Sequence, residues 1–116
     1  MTRQTANLIL YRQRAGLEVF LVTRSIELNF LGGYLAFAGG KVEPGDESIP
    51  LADGLDTETP ELLGCAVREL FEETGILALR GATTAGDELK KLRLRLPGDA
   101  GTERFFSAMR ESGARL

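Results

Sequence analysis

The stretch from Glu61 to Thr74 constrains the fold more than any other, because its punctuation and its periodicity both point to a helix. Thr59 stands as the N-cap, and Pro60 takes the first helical position, where a missing N–H costs nothing. Gly75 sits where a left-handed C-terminal cap belongs. Leu62, Ala66, Leu70 and Thr74 recur at i, i+4 and define the face expected to be buried, with Cys65 packed beside it. The helix also carries Arg68-Glu69-Leu70-Phe71-Glu72-Glu73. Glu69, Glu72 and Glu73 are spaced i, i+3 and i+4, so their side chains emerge within about one turn and repel one another. No Lys or Arg stands four residues further on to offset them, and Arg68 is the only nearby base. Taken alone, the pattern is either a solvated acidic helix or a divalent-metal site, since Mg²⁺ and Mn²⁺ prefer oxygen ligands.

Composition narrows the chemistry. The 116 residues contain no histidine and one cysteine. That excludes Ser-His-Asp and Cys-His machinery, HExxH zinc sites, an internal disulfide and any Cys-rich zinc cluster. Net charge is −3, too mild for general nucleic-acid binding. No apolar run approaches the roughly 20 residues that span a bilayer, and Met1-Thr2-Arg3-Gln4 does not open a signal peptide. The expectation is one cytoplasmic domain over residues 1–116, with no membrane partner. Its charge is concentrated: Glu43, Asp46, Glu47, Asp53, Asp56, Glu58, Glu61, Glu69, Glu72 and Glu73 face one base, Arg68.

Residues 6–11 and 18–23 read as strands joined by a turn over 12–17, and their continuous apolar character suggests a sheet covered on both faces. A short strand over 34–37 is expected to stop at Gly39-Gly40, whose missing Cβ atoms let backbone approach a ligand. Pro44-Gly45-Asp46 makes a turn, and residues 47–60 read as an exposed loop. Residues 76–79 read as a strand, and 87–95 and 102–112 as helices. The second of these has Thr102 as its N-cap and Gly113 just past its end. The class is α/β or α+β.

Gly39 to Asp46 is not a phosphate-cradling Walker loop, because Val42 follows Lys41 where Ser or Thr is needed. Asp53, Asp56 and Glu58 do not fit EF-hand spacing either. The segment Gly40 to Ile76 resembles the Nudix box, G-x5-E-x7-R-E-U-x-E-E-x-G-U, in which U is a bulky aliphatic residue. Gly40, Arg68, Glu69, Leu70, Glu72, Glu73, Gly75 and Ile76 match it, with Asp46 or Glu47 at the first carboxylate. In this sequence 21 residues separate Asp46 from Arg68, which reads as an insertion over about 47–60 that bulges outward. Phe20 to Ser25, Phe30 to Gly33 and Leu35 to Gly40 are similar to the leader of the coenzyme A and acyl-coenzyme A diphosphatase branch, nudix-19-type, with Ala38 in place of its proline.

The resemblance implies a Nudix-type α/β/α sandwich with a mixed sheet, and a metal-dependent hydrolase of nucleoside diphosphates linked to another moiety. Coenzyme A derivatives are the first-choice substrates. Glu69, Glu72, Glu73 and the Gly40 carbonyl would hold Mg²⁺ or Mn²⁺. Arg68 would pair with Asp46 or Glu47 to orient the glutamates. Gly39 and Gly40 would line the substrate, and Arg24 is either a phosphate contact or a surface arginine. The family fold has further strands after the box helix. The chain is therefore expected to be C-terminally incomplete, or to be completed by another chain or copy. The alternatives are an ADP-ribose or nucleotide pyrophosphatase, or a Nudix-fold binding or regulatory module without catalysis.

Overall fold

A computed structural model describes residues 3–23, 33–81, 83, 86–96 and 100–116. They form a mixed α+β fold. The strands are β1 (Thr5–Leu8), β2 (Tyr11–Gln13), β3 (Leu17–Val19), β4 (Val22–Thr23), β5 (Leu35–Ala36) and β6 (Ala38–Lys41). The helices are α1 (Pro60–Thr74), α2 (Gly86–Arg95) and α3 (Gly101–Glu111), and a 3-10 turn covers Asp46–Ser48. The strands pair antiparallel, β1 with β6, β2 with β3 and β4 with β5. These pairs are what the described residues contain of the expected mixed sheet.

The two apolar runs each break into two strands with different partners. β2 and β3 make the local hairpin, with Tyr11 opposite Val19, whereas β1 reaches across the sequence to β6. Gly39 and Gly40 therefore do not stop a strand but lie within one, opposite Asn7 and Ala6. Their bareness serves packing. A Cβ at Gly39 would collide with the Asn7 side chain and the Ala6 carbonyl, and one at Gly40 with the Glu69 carboxylate. The expected cover on both faces of the hairpin is not seen among the described residues: Tyr11, Leu17 and Val19 are exposed. Residues 76–79 form no strand, and only Arg80 bridges to Arg115.

The core lies between α1, α3 and the segment after the 3-10 turn. Phe71 stacks on Phe105 with ring centroids 4.9 Å apart, and Phe105 meets Phe106 at 5.0 Å. Ile49, Val67, Leu96, Met109 and Ala114 complete the cluster. On α1 the buried face is Gly64, Val67, Arg68 and Phe71, flanked by Cys65 and Leu70. Of the stripe expected from periodicity, Leu62, Ala66 and Thr74 are only half-buried. The helix turns so that Arg68, a charged residue, faces inward; an apolar count cannot register that.

Residues 47–60 correct the picture of an outward loop. Ile49 is in the core and Leu51 packs against it, while Asp53 to Asp56 are exposed. Arg110 Nη2 donates to the Ser48 carbonyl at 2.6 Å. Leu116 N donates to Pro50 O at 3.0 Å, and Ala52 N to Leu116 O at 3.1 Å. The first half of the segment is thus held by α3 and the last residue of the chain.

Candidate active site

The site is organised by α1, whose ends form as the sequence suggests. Thr59 takes the N-cap position without a side-chain bond, Pro60 is the first helical residue, and Gly75 is left-handed at φ 79°. Inside this frame Arg68 is only 1% exposed in its side chain and Asp46 0%. Arg68 Nε donates to Asp46 Oδ1 at 2.8 Å and Nη2 to Asp46 Oδ2 at 3.0 Å, a two-pronged contact. Nη2 also donates to the Lys41 carbonyl at 2.9 Å. Nη1 donates to Glu69 Oε1 at 3.0 Å and to Glu72 Oε2 at 3.3 Å. The five N–H donors of the guanidinium thus meet five oxygen acceptors. Burial disfavours its charge, but the Asp46 bonds and the neighbouring carboxylates more than offset this and raise its pKa.

Asp46, not Glu47, is therefore the carboxylate opposite Arg68. Its Oδ2 also accepts the Glu43 N–H at 2.8 Å, while Glu47 accepts the Gly45 N–H at 3.0 Å. The helix can approach this closely because residue 64 is glycine: a Cβ there would run into the Asp46 carbonyl. Sequence reasoning passed over Gly64, although a glycine in the middle of a helix, costing about 1 kcal/mol relative to alanine, is itself a signal of close packing.

Glu69 lies against the Gly40 backbone with 15% of its side chain exposed, and burial pushes its carboxyl up to about 7 against the pull of Arg68, with Glu72 and Glu73 adding to the rise. Glu72 is 30% exposed, and Glu73 lies on the exposed side of the helix. Cys65 is buried, as its place beside the helix stripe suggests. Its thiol donates to the Gly40 carbonyl at 3.4 Å, and burial raises its pKa to about 11. Among the described residues no group of three or more Cys, Asp or Glu side chains is already gathered as a metal site. Glu69 and Glu72 do converge, on Arg68 Nη1, with Glu69 against the Gly40 backbone, and carboxylate and carbonyl oxygens are the hard donors that Mg²⁺ or Mn²⁺ takes. The donor chemistry fits. Arg24 lies outside the described residues.

Thr102 is a further correction. The N-cap position of α3 belongs to Ala100, and the buried Thr102 hydroxyl donates to Glu43 Oε2 at 2.9 Å. Glu43 in turn lies 3.8 Å from Arg68 Nη1, so α3 is tied to the arginine through one side chain. Partners 59 positions apart leave no local signature, and sequence reasoning missed this link.

A buried arginine locked to an aspartate and aligning glutamates on one helix is the arrangement of a Nudix box. A model of the NUDIX domain matches residues 1–109, and the chain belongs to the Nudix family. The crystal structure of a NUDIX hydrolase from Alicyclobacillus acidocaldarius is similar, with a TM-score of 0.66 and 31% identity. The similarity covers 91% of this chain and 54% of that one, so the chain spans about half the length of its structural relative. No protein of curated function matches it.

Proposed function

We propose that the chain carries the catalytic centre of a metal-dependent Nudix pyrophosphohydrolase. The observation that carries this reading is the convergence of Glu69 and Glu72 on one nitrogen of a fully buried arginine, beside the Gly40 backbone. Glu69, Glu72 and the Gly40 carbonyl would hold Mg²⁺ or Mn²⁺, joined by Glu73 from the exposed side. When bound, the cation supplies charge neutralisation for phosphate oxygens and makes water acidic enough to act near neutral pH. The chain's own residues do the rest. Arg68 and Asp46 fix the helix against the Gly40 strand, and Arg68 Nη1 keeps both carboxylates aimed to one side. Hydrolysis in this manner requires no histidine, in keeping with the composition.

The substrate class is a nucleoside diphosphate linked to another moiety, with coenzyme A or acyl-coenzyme A first among candidates and Arg24, Gly39 and Gly40 as substrate-side residues. ADP-ribose and nucleoside triphosphates are the nearest competitors. A second reading, a binding module without catalysis, has one observation in its favour: Arg68 Nη1 already occupies both carboxylates that a metal would need.

Release of phosphorylated products from coenzyme A, ADP-ribose and a nucleoside triphosphate, with and without Mg²⁺, tests the proposal. Metal-dependent cleavage abolished by Glu72→Gln is the expected result. Metal-dependent binding of these compounds without cleavage would favour the binding module.

A further inference from the structure

We propose that Arg93, on α2, is a positioning residue for the glutamates of α1, and that divalent-cation binding depends on it; the inference rests on the metal reading above. The last four carbonyls of a helix lack intrahelical partners and need others. In α1, Phe71 O takes the Gly75 N–H at 2.8 Å, a single-bond left-handed ending. The Ile76 N–H, which could have served another carbonyl, turns instead to Thr74 Oγ1 at 3.1 Å. That leaves the carbonyls of Glu72, Glu73 and Thr74, and Arg93 takes the first two: Nε donates to Glu72 O at 3.0 Å and Nη2 to Glu73 O at 3.0 Å.

Three further observations mark this contact as more than incidental. First, α1 has no basic residue in its last turn, although its negative dipole end and its cluster of acids both call for one. The cation comes instead from about 20 residues further along the chain. Second, Gly75 leaves room for it: a Cβ there would sit 3.2 Å from Arg93 Nη1. Third, the guanidinium grips the backbone carbonyls of Glu72 and Glu73, the peptides that carry two of the glutamates. Arg68 orients Glu69 and Glu72 through their side chains, and Arg93 orients Glu72 and Glu73 through their peptides. Glu72 is held by both.

The role predicts an effect opposite to simple electrostatics. Removing a nearby positive charge should, by Coulomb's law alone, tighten cation binding. If Arg93 positions the ligands, Arg93→Ala should weaken it by about 10-fold or more, the usual cost of losing a residue that orients metal ligands. Arg93→Lys keeps the charge without the two-pronged grip and should lie between. The test is Mn²⁺ titration of the wild-type protein, both variants and Lys90→Ala as a charge control, followed by electron paramagnetic resonance. Amide hydrogen exchange of the metal-free proteins reads the last turn of α1 directly. Weaker Mn²⁺ binding in Arg93→Ala, with faster exchange confined to that turn, is the expected result. Equal or tighter Mn²⁺ binding in Arg93→Ala, at undiminished wild-type affinity, would overturn the role of Arg93 alone. A wild-type protein that binds no Mn²⁺ would overturn the functional reading instead.

Discussion

Arg68 and Asp46 meet edge to edge in the protein interior, through hydrogen bonds of 2.8 and 3.0 Å, with almost no exposure of either side chain. Such a pair stabilises little relative to a well-packed apolar substitute, but breaking it strands a buried charge at about 3–5 kcal/mol. Arg68→Ala should therefore lower stability by about that much in chemical denaturation. Arg68→Lys should recover only part, because one ammonium cannot meet five acceptors. Both variants within about 0.5 kcal/mol of wild type would show the pair to be dispensable.

Gly64→Ala sets two effects against each other. Alanine is the better helix former by about 1 kcal/mol, yet its Cβ would meet the Asp46 carbonyl. Overpacking of this kind costs about 1–3 kcal/mol, so net destabilisation is expected. A rise in thermal midpoint would mean that α1 can move away from Asp46 freely.

Ile49 and Leu55 lie in the same acidic segment but should behave differently. Ile49→Ala opens the core and should cost about 2–5 kcal/mol, whereas the exposed Leu55→Ala should stay within about 0.5 kcal/mol. Replacing all of 47–60 by a seven-residue spacer deletes Ile49 and Leu51 and should unfold the protein, as circular dichroism would record.

Mn²⁺ or Mg²⁺ should raise the melting temperature, because a ligand of the folded state stabilises it by about 2.7 kcal/mol at a hundred times its Kd. Glu72→Gln should abolish the shift. An equal shift in both proteins, measured by differential scanning fluorimetry, would move the metal away from this helix.

What the sequence makes legible here is local. Pro60 and Gly75 announce the ends of α1 because capping is decided within a few residues. The spacing of Glu69, Glu72 and Glu73 on one helix leaves a solvated face and a metal site both open, and the pairing of Arg68 with Asp46 or Glu47 is legible only through the resemblance to the Nudix box. The glycines of β6 read as a strand stop because their partners, Asn7 and Ala6, stand 32 and 34 positions earlier in the chain. Thr102 reads as a cap because the bond that claims it, to Glu43, depends on how α3 docks. Ile49 sat in a run of acids and prolines, where composition points outward, yet Arg110 and Leu116 hold its neighbours against the core.

The buried pair also changes what chain length means between its two members. Once Asp46 and Arg68 are fastened, the intervening residues form a closed polymer loop, and closure entropy grows only as the logarithm of contour length. For a fully flexible loop, tripling the span from the seven residues of the box pattern to the 21 present here would cost only about 1 kcal/mol. Length is therefore open to change only in the exposed part of the segment, because Ile49 and Leu51 are packed and α1 begins at Pro60. The exposed tip from Asp53 to Asp56 is accordingly where this chain should accept a spliced-in peptide without loss of fold.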